Sequence, residues 1–391
     1  LSHKNIYIKG INQTMYYANN IVKELKKSHQ IILFGTGLVA FEVANCLMER
    51  PYRLPIDGFM VSKKENQPEQ IMGIPVYDFA SAQGVIDKDV TIVISTMEKH
   101  LRSIQVALEK HGYQNIISMT FESDLWSFIQ GNTYREKCLV QNLPYRTLEE
   151  ELEKSFEICD TCTKKIHVYT VRSHMDKPLL ENLSQFSWEI PIQAGAALTE
   201  QKICTIRDDM GENISYKNRK YCELTALYWI WKNDCADYIG LCHYRRHFEL
   251  DEKILKRLAS SDIDVVLTLP ILNFSSVREV YRHDHIEDDW DKMLEAIRVL
   301  SPVYMPEAIE IQNGNYYYGY NMFIARKKIF DDYCTWLFPI LEYCEKKCEE
   351  KADRYQERYI GFLAERLLTI YMKHHESNLK IVHGKKHFVK S

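Results

Sequence analysis

The sequence predicts an α/β protein of two domains. Three observations carry this. Apolar runs of strand length alternate with stretches of helical periodicity along most of the chain. A glycine turn, Gly35-Thr36-Gly37, follows the first buried run and opens a helix. A second series of apolar runs begins at Ile166, after a stretch of mixed composition. The 391 residues suffice for two hydrophobic cores. We place the domains at 1–130 and 164–391, with a linker at 131–163.

In the first domain, residues 13–28 have a helical pattern. Ile31–Phe34 is a strand, and a helix runs from the glycine turn to about Glu49. Further strands are expected in Ile56–Val61, Thr91–Ser95 and Asn115–Met119, with crossover helices between them. This is a Rossmann-like parallel sheet. Gly35 and Gly37 allow a tight turn and close approach to a phosphate, so they are the candidate cofactor-binding residues. The dinucleotide fingerprint is incomplete. Ala40 replaces its third glycine, and the second strand ends in Val61-Ser62-Lys63-Lys64, where an NAD site needs an acid. Asp57 opens that strand instead of closing it. The segment GFMVSKKENQ…IMGIPVYDF resembles, at the level of fold, the small nucleotide-binding domain at the front of some sugar acyltransferases.

The linker ends in an acidic helix from Thr147 to about Ile158, with Thr147 as N-cap and Glu150 closing a capping box. Ile166–Val171 is the first strand of the second domain. Asp208 to Asn213 form a turn, and Ser215 is a candidate N-cap for a helix whose first turns carry Lys217, Asn218, Tyr221 and Glu223. Leu224, Leu227, Tyr228 and Trp231 recur at helical spacing and belong to the core. Tyr238–Cys242 reads as a central strand. It runs into His243-Tyr244-Arg245-Arg246-His247, a cationic cluster that needs an anion or a carboxylate network. Asp264–Pro270 is another strand. Arg278, Arg282, His283, Asp284 and His285 form a polar loop before a long helix. Asn315–Ala325 is a strand, and two helices and a closing strand, LKIVHG, follow.

Composition narrows the function. Hydrophobic residues make up 46% and charged residues 27%, as in soluble globular proteins. A net charge of -4 argues against nucleic acid as a partner. No apolar run approaches the roughly 18 residues of a membrane span, and LSHKNIYIKG has no signal-peptide core. The 11 cysteines are odd in number and scattered, which fits free thiols in a reducing cytoplasm; Cys159 and Cys162 form a lone CxxC, a weak zinc signal. GxSxG, HExxH, Walker A and kinase motifs are absent from the sequence.

Five blocks, IPIQAGAAL, GENISYKNRKYCELTALYWIWKN, DYIGLCHYRRHF, NYYYGYNMFIARKKIFDDYCTWLFPIL and RYIGFLAERLL, carry a resemblance over roughly residues 165–385. Together they resemble the glycosyltransferase family encoded in bacterial capsule, exopolysaccharide and O-antigen clusters, long catalogued as a domain of unknown function. The resemblance implies a GT-A-like fold for the second domain. It implies transfer of a hexose, galactofuranose in some members, from a nucleotide donor, a UDP-sugar. The implied acceptor is a lipid-linked glycan, reached at the cytoplasmic face of the membrane through peripheral contact. The sequence leaves a homo-oligomer open.

In GT-A enzymes the strand matching Tyr238–Cys242 ends in an Asp-x-Asp motif that holds a divalent cation against the leaving diphosphate. Here the same place reads His243-Tyr244-Arg245-Arg246, without a carboxylate. The sequence assigns no firm resident cofactor, and a divalent metal stays open. Cationic side chains, favoured over a divalent metal, are expected to stabilise the leaving group. The candidate donor-binding set is His243, Tyr244, Arg245, Arg246, Lys217, Asn218, Glu223, Tyr320 and Asn321, with Tyr317 and Tyr318 as further stacking candidates. An inverting transfer needs a carboxylate base, for which Glu365, Asp284 and Asp209 are the candidates; a retaining one does not. Two alternatives stand beside this reading, a sugar-nucleotide-modifying enzyme and a non-catalytic scaffold subunit of a polysaccharide-assembly complex.

Overall fold

The computed structural model describes residues 4–154 and 164–389, with side chains from Tyr16 onward, Gln185 excepted. Cys159 and Cys162 lie outside the described residues. The chain separates into two units, Leu1–Pro144 and Tyr145–Ser391.

The first unit comprises α1 (Lys4–Lys27), β1 (Ile31–Phe34), α2 (Leu38–Met48), β2 (Gly58–Val61), β3 (Gln70–Ile71), β4 (Ile74–Asp78), β5 (Thr91–Ile94), α3 (Glu98–Lys110), β6 (Ile116–Ser118) and α4 (Asp124–Val140). The sheet order is β3-β4-β2-β1-β5-β6, parallel except for the short β3–β4 pair. The glycine turn after β1 therefore lies where the strand order reverses, between β1 and β5. Gly35 has φ +134°, and a Cβ there would lie 2.5 Å from the Ser95 carbonyl oxygen, so the turn requires glycine. Gly37 is the N-cap of α2. Asp57 sits at the other end of the sheet, where its carboxylate accepts from the Ile31 N–H at 2.8 Å. The expected linker start at residue 131 falls inside α4, whose buried Ile129, Tyr134 and Cys138 keep it in the first unit.

The second unit comprises α5 (Leu148–Lys154), β7 (Ile166–Arg172), β8 (Ile190–Gln193), β9 (Ile206–Arg207), α6 (Asn218–Tyr221), α7 (Leu224–Asn233), β10 (Tyr238–His243), β11 (Arg246–Phe248), α8 (Glu252–Ser260), β12 (Val265–Thr268), β13 (Ile271–Leu272), α9 (Val277–Asp284), α10 (Glu287–Leu300), α11 (Met305–Asn313), β14 (Tyr316–Tyr317), β15 (Phe323–Arg326), α12 (Lys327–Lys347), α13 (Tyr359–His375), β16 (Ile381–Gly384) and β17 (Lys386–Phe388). Its mixed sheet runs β16-β12-β15-β10-β7-β8-β9. Strands β10, β7, β8 and β9 are mutually parallel, and β15 is antiparallel to β10. This is the expected α/β architecture, with α7, α10, α12 and α13 packed over one face of the sheet.

Three local expectations are corrected. Ser215 is not an N-cap: its hydroxyl donates to Asp208 at 2.5 Å and accepts from the Ala197 N–H at 3.0 Å. Arg278, Arg282, His283 and Asp284 lie on α9, not in a loop, because Ser276 and Glu279 form a reciprocal capping box. The strand expected over Asn315–Ala325 is two strands, β14 and β15, separated by a turn at 318–322.

Candidate active site

Parallel strands β10, β7, β8 and β9 end at one edge of the sheet, the edge at which open α/β sheets bind ligands. Strand β10 is buried along Tyr238–Cys242 and reaches that edge at His243. A two-residue turn, Tyr244-Arg245, reverses the chain into β11. Strand alternation then puts Arg246 and His247 on opposite faces. His247 is buried: its Nδ1 lies 2.7 Å from Glu189 Oε2, and its ring stacks on Phe186. Glu189 also accepts from the Thr170 hydroxyl. His247 is thus an internal partner of Glu189. Tyr244 is held through its backbone, its N–H donating to the Val171 carbonyl at 3.0 Å. Arg245 lies over Phe388, 4.4 Å from the ring centre. Arg246 lies 4.4 Å from the ring centre of Tyr320 and 5.0 Å from that of Phe388.

The turn between β14 and β15 organises the rest. Tyr320 and Asn321 are consecutive residues in the left-handed region, with φ 70° and 49°. For a bulky residue such as tyrosine this is an outlier, sustained only where surrounding contacts over-determine it. Those contacts are present. The Tyr320 N–H donates to Glu365 Oε1 at 2.6 Å, and the Tyr320 carbonyl accepts from His243 Nε2 at 2.5 Å. Asn321 Nδ2 donates to Glu223 Oε1 at 2.7 Å. Asn321 is buried, and its Oδ1 has no hydrogen-bond partner among the described residues. Cys222, beside Glu223, also has positive φ, 49°. These are the three non-glycine residues of positive φ among the described residues of the second unit.

The titrations follow from burial. Burial, reinforced by Arg246, pushes His243 down to about 3, so its ring is neutral at physiological pH. This corrects its expected role as a cation. Because Nε2 donates to the Tyr320 carbonyl, Nδ1 carries the lone pair. Burial raises the Glu223 carboxyl, and the Asn321 hydrogen bond partly offsets it. Burial raises Glu365 too, against the opposing Arg366 charge and Tyr320 N–H. Arg246 lowers both carboxyls through space.

These residues do not fit the divalent cation that a GT-A-like strand end would imply. The position that would supply its ligands carries Arg245 and Arg246, and both Glu365 oxygens are engaged, one by Tyr320 and one by Arg366 Nη1 at 2.8 Å. Among the described residues the one three-ligand cluster is His29, Asp87 and Asp89, exposed and in the first unit. His283 is exposed and bonded to Asp284, and His285 stacks on Phe362.

The structure therefore brings His243, Arg246, Glu223, Tyr320, Asn321 and Glu365 together. Asp284 stands at the rim and acts electrostatically on Arg366 and Tyr355. Other candidates are engaged elsewhere. Asp209 pairs with Arg207 at 3.1 Å and Lys202 at 3.4 Å beyond edge strand β9. Lys217 pairs with Glu345 at 2.7 Å. Asn218 donates to the Cys222 carbonyl and the Thr225 hydroxyl. Tyr317 lies under Arg366, and Tyr318 is buried with its hydroxyl on His383, so neither offers an open stacking face. Gly35 and Gly37 belong to the first unit.

Sequence reasoning missed Arg358, whose Nε donates to Cys222 Sγ at 3.3 Å beside Glu223. It also missed Arg172, His174 and Asp176 at the end of β7. Arg172 Nε and His174 Nδ1 are buried without partners among the described residues, and burial lifts Asp176 to about 6. The signal was in the sequence: RSHMD directly follows an apolar strand.

The profile of a family described as Domain of unknown function (DUF4422) matches residues 169–376, more than half of the chain. The chain belongs to this family. The DUF4422 match runs from β7 to the end of α13 and contains every residue gathered around Tyr320 except two of β17, Phe388 and Lys386, whose Nζ lies 4.3 Å from the Tyr320 ring centre. A solved structure, the apo form of WbbM, a bifunctional glycosyltransferase, is similar at 29% identity and a TM-score of 0.52. The similarity covers 58% of this chain and 46% of that one, so the chain spans under half the length of that relative. No curated protein sequence matches the chain.

Proposed function

We propose that the chain is a glycosyltransferase that moves a hexose from a nucleotide donor, a UDP-sugar, to a glycan acceptor. One observation carries this. Arg246 stands at the carboxyl end of the central parallel strand, bracketed by Tyr320 and Phe388, with its Nε buried and unpartnered among the described residues. A guanidinium held by rings instead of a carboxylate keeps its fork available for phosphate oxygens. The likeness to a bifunctional glycosyltransferase supports the same reading.

In this mechanism the diphosphate of the donor lies against Arg246, with Arg358 at the mouth as a second cation. Negative charge grows on the leaving diphosphate as the glycosidic bond breaks, and Arg246 is placed to stabilise it. The neutral His243 holds Tyr320 in place by donating to its carbonyl. Asn321 supports the site from beneath, its Nδ2 holding Glu223. Arg172, His174 and Asp176 stand at the end of β7, the parallel neighbour of β10, at the same edge of the sheet. A lipid-linked acceptor in capsule, exopolysaccharide or O-antigen synthesis, met through peripheral membrane contact in the cytoplasm, completes the reading. No helix among the described residues is long and apolar enough to cross a membrane.

The test is a panel of nucleotide sugars, scored by thermal shift and by release of nucleoside diphosphate, with and without EDTA. Consumption of at least one donor that survives EDTA is expected. Loss of activity in EDTA would sink the metal-free leaving-group assignment, and failure of every donor to bind would favour a scaffold role.

A further inference from the structure

We propose that Glu223 is the catalytic base of the transfer. This rests on the glycosyl-transfer reading above. Four carboxylates compete for the role, and geometry separates them. Asp209 is paired beyond β9. Asp284 is at the rim, with Oδ1 on His283. Glu365 spends one oxygen on the Tyr320 N–H and the other on Arg366. Glu223 is half-buried and is held by Asn321 through Oε1, and no other side chain among the described residues bonds its carboxylate.

The surroundings suit a base. Glu223 is reached by the charges of Arg246 on β11, Arg358 ahead of α13 and Glu365 on α13, and it lies beside the thiol of Cys222 and near Tyr333 of α12. Burial outweighs the two arginines, so the carboxyl is raised toward the range in which a base is effective. The strained backbone at Cys222 and at Tyr320-Asn321 fixes both sides of the contact.

The step balances. The acceptor oxygen forms a bond to the anomeric carbon on the face opposite the diphosphate. The carbon–oxygen bond to the diphosphate breaks, and its electron pair leaves on the diphosphate beside Arg246. The acceptor proton passes to the Glu223 carboxylate and later to solvent. A single displacement of this kind inverts the configuration.

The experiment uses the full chain and the panel of UDP-hexoses, with water as acceptor. Proton NMR of the freshly released sugar reads its anomer before mutarotation. The expected result is inversion, with Glu223→Gln losing at least 100-fold in turnover while donor affinity stays within about threefold. In Glu223→Ala, azide, which has no proton to lose, is expected to raise donor consumption at least tenfold. Thermal melts confirm that both variants are folded. Retention of configuration, turnover of Glu223→Gln within tenfold of wild type, or no azide effect in a donor-binding Glu223→Ala would each overturn the assignment. If wild type consumes no UDP-hexose, the glycosyl-transfer reading fails first and takes this inference with it.

Discussion

The guanidinium of Arg246 lies 4.4 Å from the ring centre of Tyr320, and the backbone of that same tyrosine is strained into the left-handed region. The strain and the contact are linked. In that conformation the Tyr320 N–H reaches Glu365 and its carbonyl reaches His243 while the ring meets Arg246. The turn thus couples the cation to both half-buried carboxyls.

Replacing Arg246 should therefore weaken donor binding without unfolding the protein. Arg246→Ala is expected to lower UDP affinity by about 10-fold or more, since a charge-assisted hydrogen bond contributes about 1.5–3 kcal/mol. Arg246→Lys should restore little, because an ammonium lacks the planar fork. Calorimetric titration of UDP into each variant checks this.

Asn321→Asp places a second carboxylate against Glu223. Like charges disfavour joint ionisation, so the Glu223 titration moves further up. The acidic limb of the pH–rate profile should shift upward by about one unit or more, with activity rising with pH as the base deprotonates. An unchanged limb would show that Glu223 does not titrate in the rate.

Gly240 lies mid-strand in β10, where a Cβ would come within 2.7 Å of Ile324 and 3.0 Å of Val168. Gly240→Ala should cost about 1–3 kcal/mol through overpacking. It should also displace His243, so turnover falls along with the urea midpoint. Equilibrium unfolding and a turnover assay read the two effects.

In the first unit, burial lifts the Glu42 carboxyl from an ordinary 4.5 to about 8, only partly opposed by Lys137. Between those values the folded state binds a proton that the unfolded state has released. Stability from this group is therefore full below pH 4.5 and is lost as pH rises toward 8. Glu42→Gln removes the dependence. The variant should match wild type near pH 4.5 and exceed it by a few kcal/mol at pH 8, measured by urea unfolding at both pH values.

Much of the fold was legible because burial writes itself into local pattern. Ile31–Phe34, Tyr238–Cys242 and Val265–Thr268 are continuous apolar runs and are central strands. The turn inside NYYYGYNMF was hidden, because tyrosine favours strands and nothing in one dimension signals a left-handed tyrosine. The α9 helix was legible in principle from Ser276 and Glu279 but was masked by the charged residues that follow.

By itself the sequence determined the continuous apolar strands β1, β10 and β12, the glycine turn after β1 and the accumulation of charge at the end of β10. Each depends on neighbours in the chain. The tertiary structure decided which charged groups share a site. Glu223 meets Asn321 across 98 residues, and His243 meets Tyr320 across 77. It also decided that His247 turns away to Glu189 while Arg246 turns inward, and that Glu365 is fully engaged while Glu223 is not. Hydrogen-bond partners and desolvation are properties of three-dimensional surroundings, so neighbours in one cationic run, and two glutamates of one site, acquired different roles.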